Sequence, residues 1–411
     1  MPQVLPFSAW RYNQNLVKIE DVVAPPYDVV TEEEISYFKK KSPYNIFHLE
    51  LPESYQKAKE LLNEWIKSSV IVNTEAPAVY LYELEFEFLG RKYLRKGFVA
   101  LVELSDFNQG KIVPHEKVFA KVTEDRFNLL KATGFQFSQI FGLYEDENLK
   151  LFSFKPQKRI LYQVRFNDQV HTLYEIKDKE FLKLFSEFFK DKRIFIADGH
   201  HRYTTALKYK EYMQEKFGSE TLKDFNFTAM YLCAIEDPNL LMLPTHRVYK
   251  TQAEEFIKAF EKFVEVKKEL SQEEAFQKEL LESEWMFVTQ DKCILVKIKK
   301  EVFEEIKARD PLLAKLPVYN FLEVFKKVFS FGEEELKEKG KVSFISDVKE
   351  VLDTVKKERG IGVIFPGVSP KVLKEVALAG KRMPHKSTYF YPKILTGMLL
   401  NEVSGKDLRV F

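Results

Sequence analysis

The chain has 411 residues, enough for two or three domains and a large core. Hydrophobic residues make up 45% and charged residues 31%, the make-up of an ordinary soluble globular protein rather than a disordered or fibrous one. The 64 basic and 62 acidic residues leave a formal net charge of +2 and are finely interspersed, which excludes a whole-protein nucleic-acid footprint and leaves only a local patch open, while Cys233 and Cys293 are too few for a disulfide framework or a Cys-based zinc site.

The N-terminal stretch MPQVLPFSAWRYN lacks the basic start, apolar run and cleavage site of a signal peptide, and eighteen apolar residues never run together. A reducing cytoplasm is the expected compartment, and no membrane partner is expected. The 37 phenylalanines beside many Glu and Lys residues hint at a hot environment. Residues 24–30, APPYDVV, read as a rigid extended segment ending in a turn, and they also suit the wall of a site. Residues 54–69 read as an amphipathic helix, and 78–104 alternate as a hairpin or meander across a Leu-Gly-Arg-Lys turn. A polar loop from Lys111, a helix around Glu124 to Thr133 and a strand SQIFGLY follow. Asp125 and Arg126 are read as opening that helix. An Asp there suits the helix dipole and an Arg does not, so Arg126 needs an anionic ligand or an ion pair.

Arg193 to Ala197 is a short apolar run that reads as a buried strand, and residues from Ala206 on recur at helical spacing. IADGHHRYTTA therefore sits at a strand-to-helix turn. Asp198 is the expected N-cap, Gly199 lets the backbone turn, and the first helical N–H groups face whatever His200, His201 and Arg202 surround. Such a turn suits an anion, above all phosphate. The alternative is a plain cap with both histidines on a solvated face. FTAMYLCAI and LLMLPTHRVYK read as two more strands, residues 252 to about 375 alternate helices and strands with IGVIFP as a late strand, and the tail GKRMPHKSTYFYPKILTGMLL is dense in polar groups. The expected fold class is α+β in three regions: a strand-rich N-terminal region at 1–110, a core at 111–250 and a C-terminal α/β region at 251–411 whose tail returns to the site.

Histidine is scarce, and six of the seven, all but His171, lie in short polar stretches at element ends. Glu116 follows a Pro-initiated turn in PHEKVF and precedes an apolar position, where burial and neighbouring charge could tune it as a general base. A solvated loop carboxylate is the alternative. Lys386-Ser387-Thr388 resembles the end of a phosphate loop without the glycines of a Walker A motif, and no kinase-type glycine-rich loop precedes a strand-borne Lys.

The ordered set VAPPYDVV, NIFHLELPE, HEKVFAKVTEDRFNLLKAT, SQIFGLYED, DGHHRYTTA, PTHRV and MPHKSTYFYPKILTG resembles, over nearly the whole chain, a bacterial and archaeal family known as a domain of unknown function. Residues 111–245 resemble the smaller ParB/sulfiredoxin-like superfamily core. Sulfiredoxins carry a cysteine where this chain has His200, and ParB-type clamps carry Gly-Glu-Arg-Arg followed by a helix-turn-helix that is not evident here. The branch with a histidine-rich turn resembles the free-serine kinases, and the resemblance implies phosphorylation of L-serine to O-phosphoserine with pyrophosphate, or ADP or ATP, as donor. It implies Mg²⁺ as cofactor and small molecules as partners, with no nucleic acid. Under that resemblance Glu116 accepts the serine proton, Asp198 holds the metal or orients a histidine, and His200 joins them as a catalytic group. His200, His201, Arg202, Lys386, Ser387, Thr388 and Lys393 bind the donor phosphates, and Asn45, Arg126, Ser138, His246 and Arg247 form a second tier. A nucleotide-dependent nucleic-acid clamp and a metal-dependent phosphohydrolase remain the competing readings.

Overall fold

The computed structural model describes residues 1–116, 118 and 120–408; Lys117 and Phe119 of the segment PHEKVF lie outside the described residues. The fold is α+β, and the chain divides into two compact units, Met1–Leu240 with Pro392–Phe411, and Leu241–Tyr391.

The first unit is built on a nine-stranded mixed sheet. Its strands are β1 (Val4–Leu5), β2 (Val79–Phe88), β3 (Arg91–Glu103), β4 (Ile112–Val113), β5 (Ile140–Tyr144), β6 (Arg159–Phe166), β7 (Gln169–Ile176), β8 (Ile194–Asp198) and β9 (Phe227–Ala234). They lie in the order β4-β8-β5-β9-β3-β2-β7-β6, with β1 against β3. The long hairpin read at 78–104 is β2 and β3, paired from Tyr80↔Val99 to Phe88↔Arg91. The sheet thus draws strands from both sides of residue 110.

Four helices of this unit matter for the site: α1 (Phe47–Glu50), α2 (Tyr55–Lys67), α3 (Ala120–Thr133) and α4 (His200–Phe217). Helix α3 starts several residues before Glu124, so Asp125 and Arg126 sit in its second turn and not at its opening. The dipole argument for Arg126 therefore does not apply, because that field fades after the first turn. Helix α4 buries Tyr203 and Ala206 in the same apolar cluster as Ile194, Ile196, Met230 and Leu232. The Tyr203 hydroxyl fixes it further, accepting the Ser105 N–H at 2.9 Å and donating to the Ser105 carbonyl at 2.8 Å.

The second unit has a six-stranded antiparallel sheet. Its members are β11 (His246–Tyr249), β12 (Val264–Leu270), β13 (Glu284–Val288), β14 (Cys293–Ile298), β15 (Val342–Ile345) and β16 (Ile361–Ile364), while β10 (Leu241–Pro244) pairs apart with β17 (Thr388–Tyr391). The run LLMLPTHRVYK is thus two strands in separate sheets, broken at Thr245, where the sequence suggested one. Period-two alternation sorts the six-stranded sheet. Tyr249, Trp285 and Phe287 face an aromatic cluster with α5 (Ala253–Phe260) and α6 (Pro317–Phe329), and Val248, Met286 and Val288 face α8 (Val348–Glu358) on the other side; α7 (Glu333–Glu338) precedes β15.

The tail is divided between the units. Beyond Pro392 it is far from polar: Met398, Leu399 and Leu400 are completely buried in the first unit. Leu400 exchanges backbone hydrogen bonds with Trp10, and Asn401 pairs with Gln136. Among the described residues no helix is long and apolar enough to cross a membrane.

Candidate functional site

The strand-turn-helix at 194–206 forms as its sequence predicts. Ile194, Phe195 and Ile196 are fully buried in β8, between β4 and β5. The register against β5 slips between Ile196 and Asp198, where Asp198 faces Phe141. Such an irregularity re-aims the side chains after it. Asp198 is not the N-cap expected from the sequence. It closes the strand, Gly199 is the N-cap at φ 92°, and no side chain caps α4. Glycine is needed twice over, because a Cβ at that positive φ would also stand 3.0 Å from the Arg202 guanidinium.

Asp198 accepts from two cations instead: Arg202 Nη2 at 2.8 Å on one oxygen and Lys393 Nζ at 3.0 Å on the other. Arg202 Nη1 donates to the Gln139 carbonyl at 2.5 Å. Burial works against the charge of Arg202, but Asp198, Asp28, Tyr27 and Glu50 together raise its pKa above the usual arginine value. Helix α4 opens with no acidic residue in its first turn. An uncapped helix start carrying basic side chains is a poor stability device and a ready anion seat.

Beside the turn lies Glu116. Its two oxygens stand 3.9 Å from His115 Nε2 and 3.8 Å from His200 Nδ1. The His200 ring meets that of His115 edge-on, with centroids 4.6 Å apart. His200 Nε2 accepts the backbone N–H of His115 at 3.2 Å, so the proton of a neutral His200 ring resides on Nδ1, toward Glu116. His115 Nδ1 lies 2.8 Å from the Ile196 carbonyl, which can only accept, so that nitrogen carries a proton as well. Glu116 therefore sits between two imidazoles whose orientations are set by backbone contacts.

Next to the turn is a pocket of about 50 Å³ whose polar wall includes Glu50, Arg126, Ser138 and Arg202. The ion-pair alternative for Arg126 is the one the structure displays. Its Nη1 donates to the Glu50 carbonyl at 2.7 Å and to Glu50 Oε1 at 3.3 Å, and its Nε and Nη2 donate to Asp125 Oδ2 at 2.8 and 2.5 Å. Tyr27 lies under the guanidinium at 4.8 Å, and the Tyr55 hydroxyl donates to Asp125 at 2.8 Å. Burial pushes the Glu50 carboxyl above the usual range, against the pull of Arg126 and Arg202. Asn45 is buried and bonds only backbone: Nδ2 donates to the Asp21 and Val23 carbonyls, and Oδ1 accepts the Phe47 N–H. It ties the chain ahead of APPYD to α1, which carries Glu50.

A family model described as "Protein of unknown function (DUF1015)" matches residues 4–324. The chain belongs to that family. No curated protein matches it. Among solved structures, a glutamate-to-alanine variant of a free serine kinase in complex with ADP aligns at 14% identity over 73% of this chain and 92% of its own, with a TM-score of 0.37. A conserved hypothetical protein from Pyrococcus furiosus aligns at 14% identity over 73% and 95% with a TM-score of 0.36. SbnI with a C-terminal truncation, from Staphylococcus aureus, aligns at 12% over 72% and 85% with a TM-score of 0.38.

In this DUF1015 member the expected site residues fall in both units. Glu116, Asp198, His200, His201, Arg202, Arg126, Ser138, Asn45 and Lys393 belong to the first, and His246, Arg247, Lys386, Ser387 and Thr388 to the second. His246 is buried, accepts the Phe365 N–H on Nδ1 at 3.2 Å, and is pushed down to about 3 by burial and by Arg247. Arg247 is wholly buried and donates to Glu333, to the Thr245 carbonyl, and to the carbonyls of His385 and Lys386. Ser387 Oγ donates to the Pro384 carbonyl at 2.7 Å, and Thr388 opens β17.

Glu50 was not singled out by the sequence, and Tyr27 and Asp28 were read only as part of a rigid turn suited to the wall of a site. A lone Glu near the end of a four-residue helix carries no signal of burial. Among the described residues no cluster of three or more His, Cys, Asp or Glu side chains forms a metal cage. Asp198 offers one carboxylate whose two oxygens already accept from Arg202 and Lys393, which leaves lone pairs for at most a single contact to a Mg²⁺ ion held chiefly by phosphate oxygens and water.

Proposed function

We propose that the chain transfers a phosphoryl group to the hydroxyl of free L-serine, yielding O-phosphoserine, with inorganic pyrophosphate as donor, or ADP or ATP in its place. The observation that carries the reading is the uncapped start of α4, lined by His200, His201 and Arg202, with Glu116 3.8 Å from His200 Nδ1. The reading places this site in a ParB/sulfiredoxin-like core.

Phosphoryl transfer asks little covalent chemistry of a protein; it asks for positioning and charge. The helix start, His200, His201 and Arg202 hold the donor phosphates. Glu116 takes the proton of the serine hydroxyl as Oγ forms its bond to the terminal phosphorus and the bond to the leaving phosphate, AMP or ADP breaks. Lys393, already bonded to Asp198, adds a positive charge beside the turn. Asp198 would hold Mg²⁺, which when bound neutralises donor charge. Lys386, Ser387 and Thr388 keep their proposed part in donor binding. Lys386→Ala measures it: the donor KM rises and the serine KM stays.

The deciding experiment incubates the protein with Mg²⁺ and L-serine and, in parallel, pyrophosphate, ADP and ATP, and assays O-phosphoserine. Product with one of the donors is expected. No product with any of them overturns the reading.

A further inference from the structure

Glu50 presents an unusual pairing of features. The residue is 4% exposed, and Oε1 accepts from Arg126, yet Oε2 has no hydrogen-bond partner among the described residues. A carboxyl oxygen left without a hydrogen-bond partner in a buried place is costly, and the cost is greatest when the group is ionised. Glu50 also lines the small pocket. On the same wall stand two guanidinium groups, Arg126 and Arg202, and the Ser138 hydroxyl. The pocket of about 50 Å³ exceeds the roughly 10–15 Å³ that a single water requires.

We infer that this pocket seats the zwitterionic end of a small α-amino acid, with Glu50 Oε2 accepting from the ammonium group and the carboxylate facing the guanidinium wall. The amino acid's identity as serine rests on the function proposed above; the zwitterion seat rests on the pocket itself. A carboxylate and two guanidiniums on one wall complement both charges of an α-amino acid at once. A hydroxy acid supplies only the anionic half and offers Glu50 Oε2 a neutral O–H in place of a charged N–H, so the pocket discriminates on the charge of the ammonium. Arg202 connects the seat to chemistry, since its Nη2 bonds Asp198 at the turn that opens α4.

The test is calorimetric binding of L-serine and of L-glycerate, which replaces the ammonium by a hydroxyl, to the full chain without any phosphoryl donor. L-serine is expected to bind roughly 10- to 100-fold more tightly, the value of a charge-assisted hydrogen bond. Glu50→Gln is expected to erase that preference. Should Glu50→Gln fail to fold, Ser138→Met fills the pocket from its wall and is expected to abolish L-serine binding while the melting temperature stays near wild type. No binding of L-serine to the wild type, a retained preference in Glu50→Gln, or unchanged binding in Ser138→Met overturns the inference. Binding that behaves as expected without phosphoserine formation keeps the seat and removes the kinase reading; phosphoserine formation at wild-type serine KM in Glu50→Gln does the reverse.

Discussion

Arg202 in the first unit, half-buried, and Arg247 in the second, wholly buried, are both guanidinium groups in polar company, and they use their donors differently. Arg247 gives Nε to Glu333 and its other nitrogens to three backbone carbonyls, and it lies over the rings of Phe344 and Phe365. Its contacts close on themselves and hold a loop in which Lys386 adopts a φ of 51°. Arg202 has Asp198 and one carbonyl for partners, stands on a pocket wall, and follows a glycine that leaves its guanidinium room. A buried charge satisfied on all sides is scaffold, and one turned toward open space beside an uncapped helix start is a candidate for work.

The contrast is tested first where the expected effect is greatest. Glu116→Gln keeps shape and removes the proposed base, so kcat should fall by roughly 10²- to 10⁴-fold with donor affinity largely kept, read by steady-state kinetics. Near-normal turnover would make Glu116 a loop carboxylate and erase the difference between the regions. Arg247→Met leaves Glu333 buried without its cation and should destabilise the second unit by about 3–5 kcal/mol, read by calorimetry as a melting transition lowered by roughly 6–20 °C. Arg202→Met leaves Asp198 its bond to Lys393, so it should shift melting less than Arg247→Met while weakening donor binding.

Acid sharpens the comparison next. His171 in β7 and His246 in β11 are both pushed down to about 3, first by burial and then by a neighbouring arginine, Arg95 and Arg247 respectively. Each folded pKa lies below the unfolded value near 6.5, so each ring is neutral when folded and takes up a proton on unfolding. Their stability contribution is present above pH 6.5 and is lost as pH falls from there toward 3, at about 1.4 kcal/mol per pH unit for each ring. His171→Gln keeps an acceptor for the Tyr82 hydroxyl, which lies 2.7 Å from Nδ1, and should flatten the acid limb of the first unit alone. Equal flattening in both units would mean they do not melt independently. The smallest effect expected is from Gly199→Ala, about 1–2 kcal/mol from the positive φ and the crowding of Arg202, read by thermal denaturation.

The strand-turn-helix at 194–206 was legible because three levels agree there: an apolar run, a glycine, then a 3.6-residue rhythm. The start of α3 was not, since Ala120 to Thr123 carries no cap signature and the polar stretch before it reads as loop. Asp198 was misread because an Asp before Gly at a helix start fits a cap as well as it fits an ion pair; Arg202 and Lys393 decide between them, and Lys393 is remote in sequence. Glu50 was invisible for a related reason. Its burial is created by Arg126 and by the chain that Asn45 ties down, so the signal exists only in three dimensions. The division of the tail was equally hidden, because KSTYFYPKILTG shows no break at Pro392.

That division bears on how the protein is made. Lys393, which bonds Asp198, and the wholly buried Met398, Leu399 and Leu400 leave the ribosome only after the entire second unit has been synthesised. At about 5–20 residues per second, the nascent first unit waits roughly 8–30 s for the segment that fills its core and balances Asp198. A chain released early, even one carrying a finished second unit, lacks that plug. Maturation of the site is thereby tied to synthesis of the whole second unit.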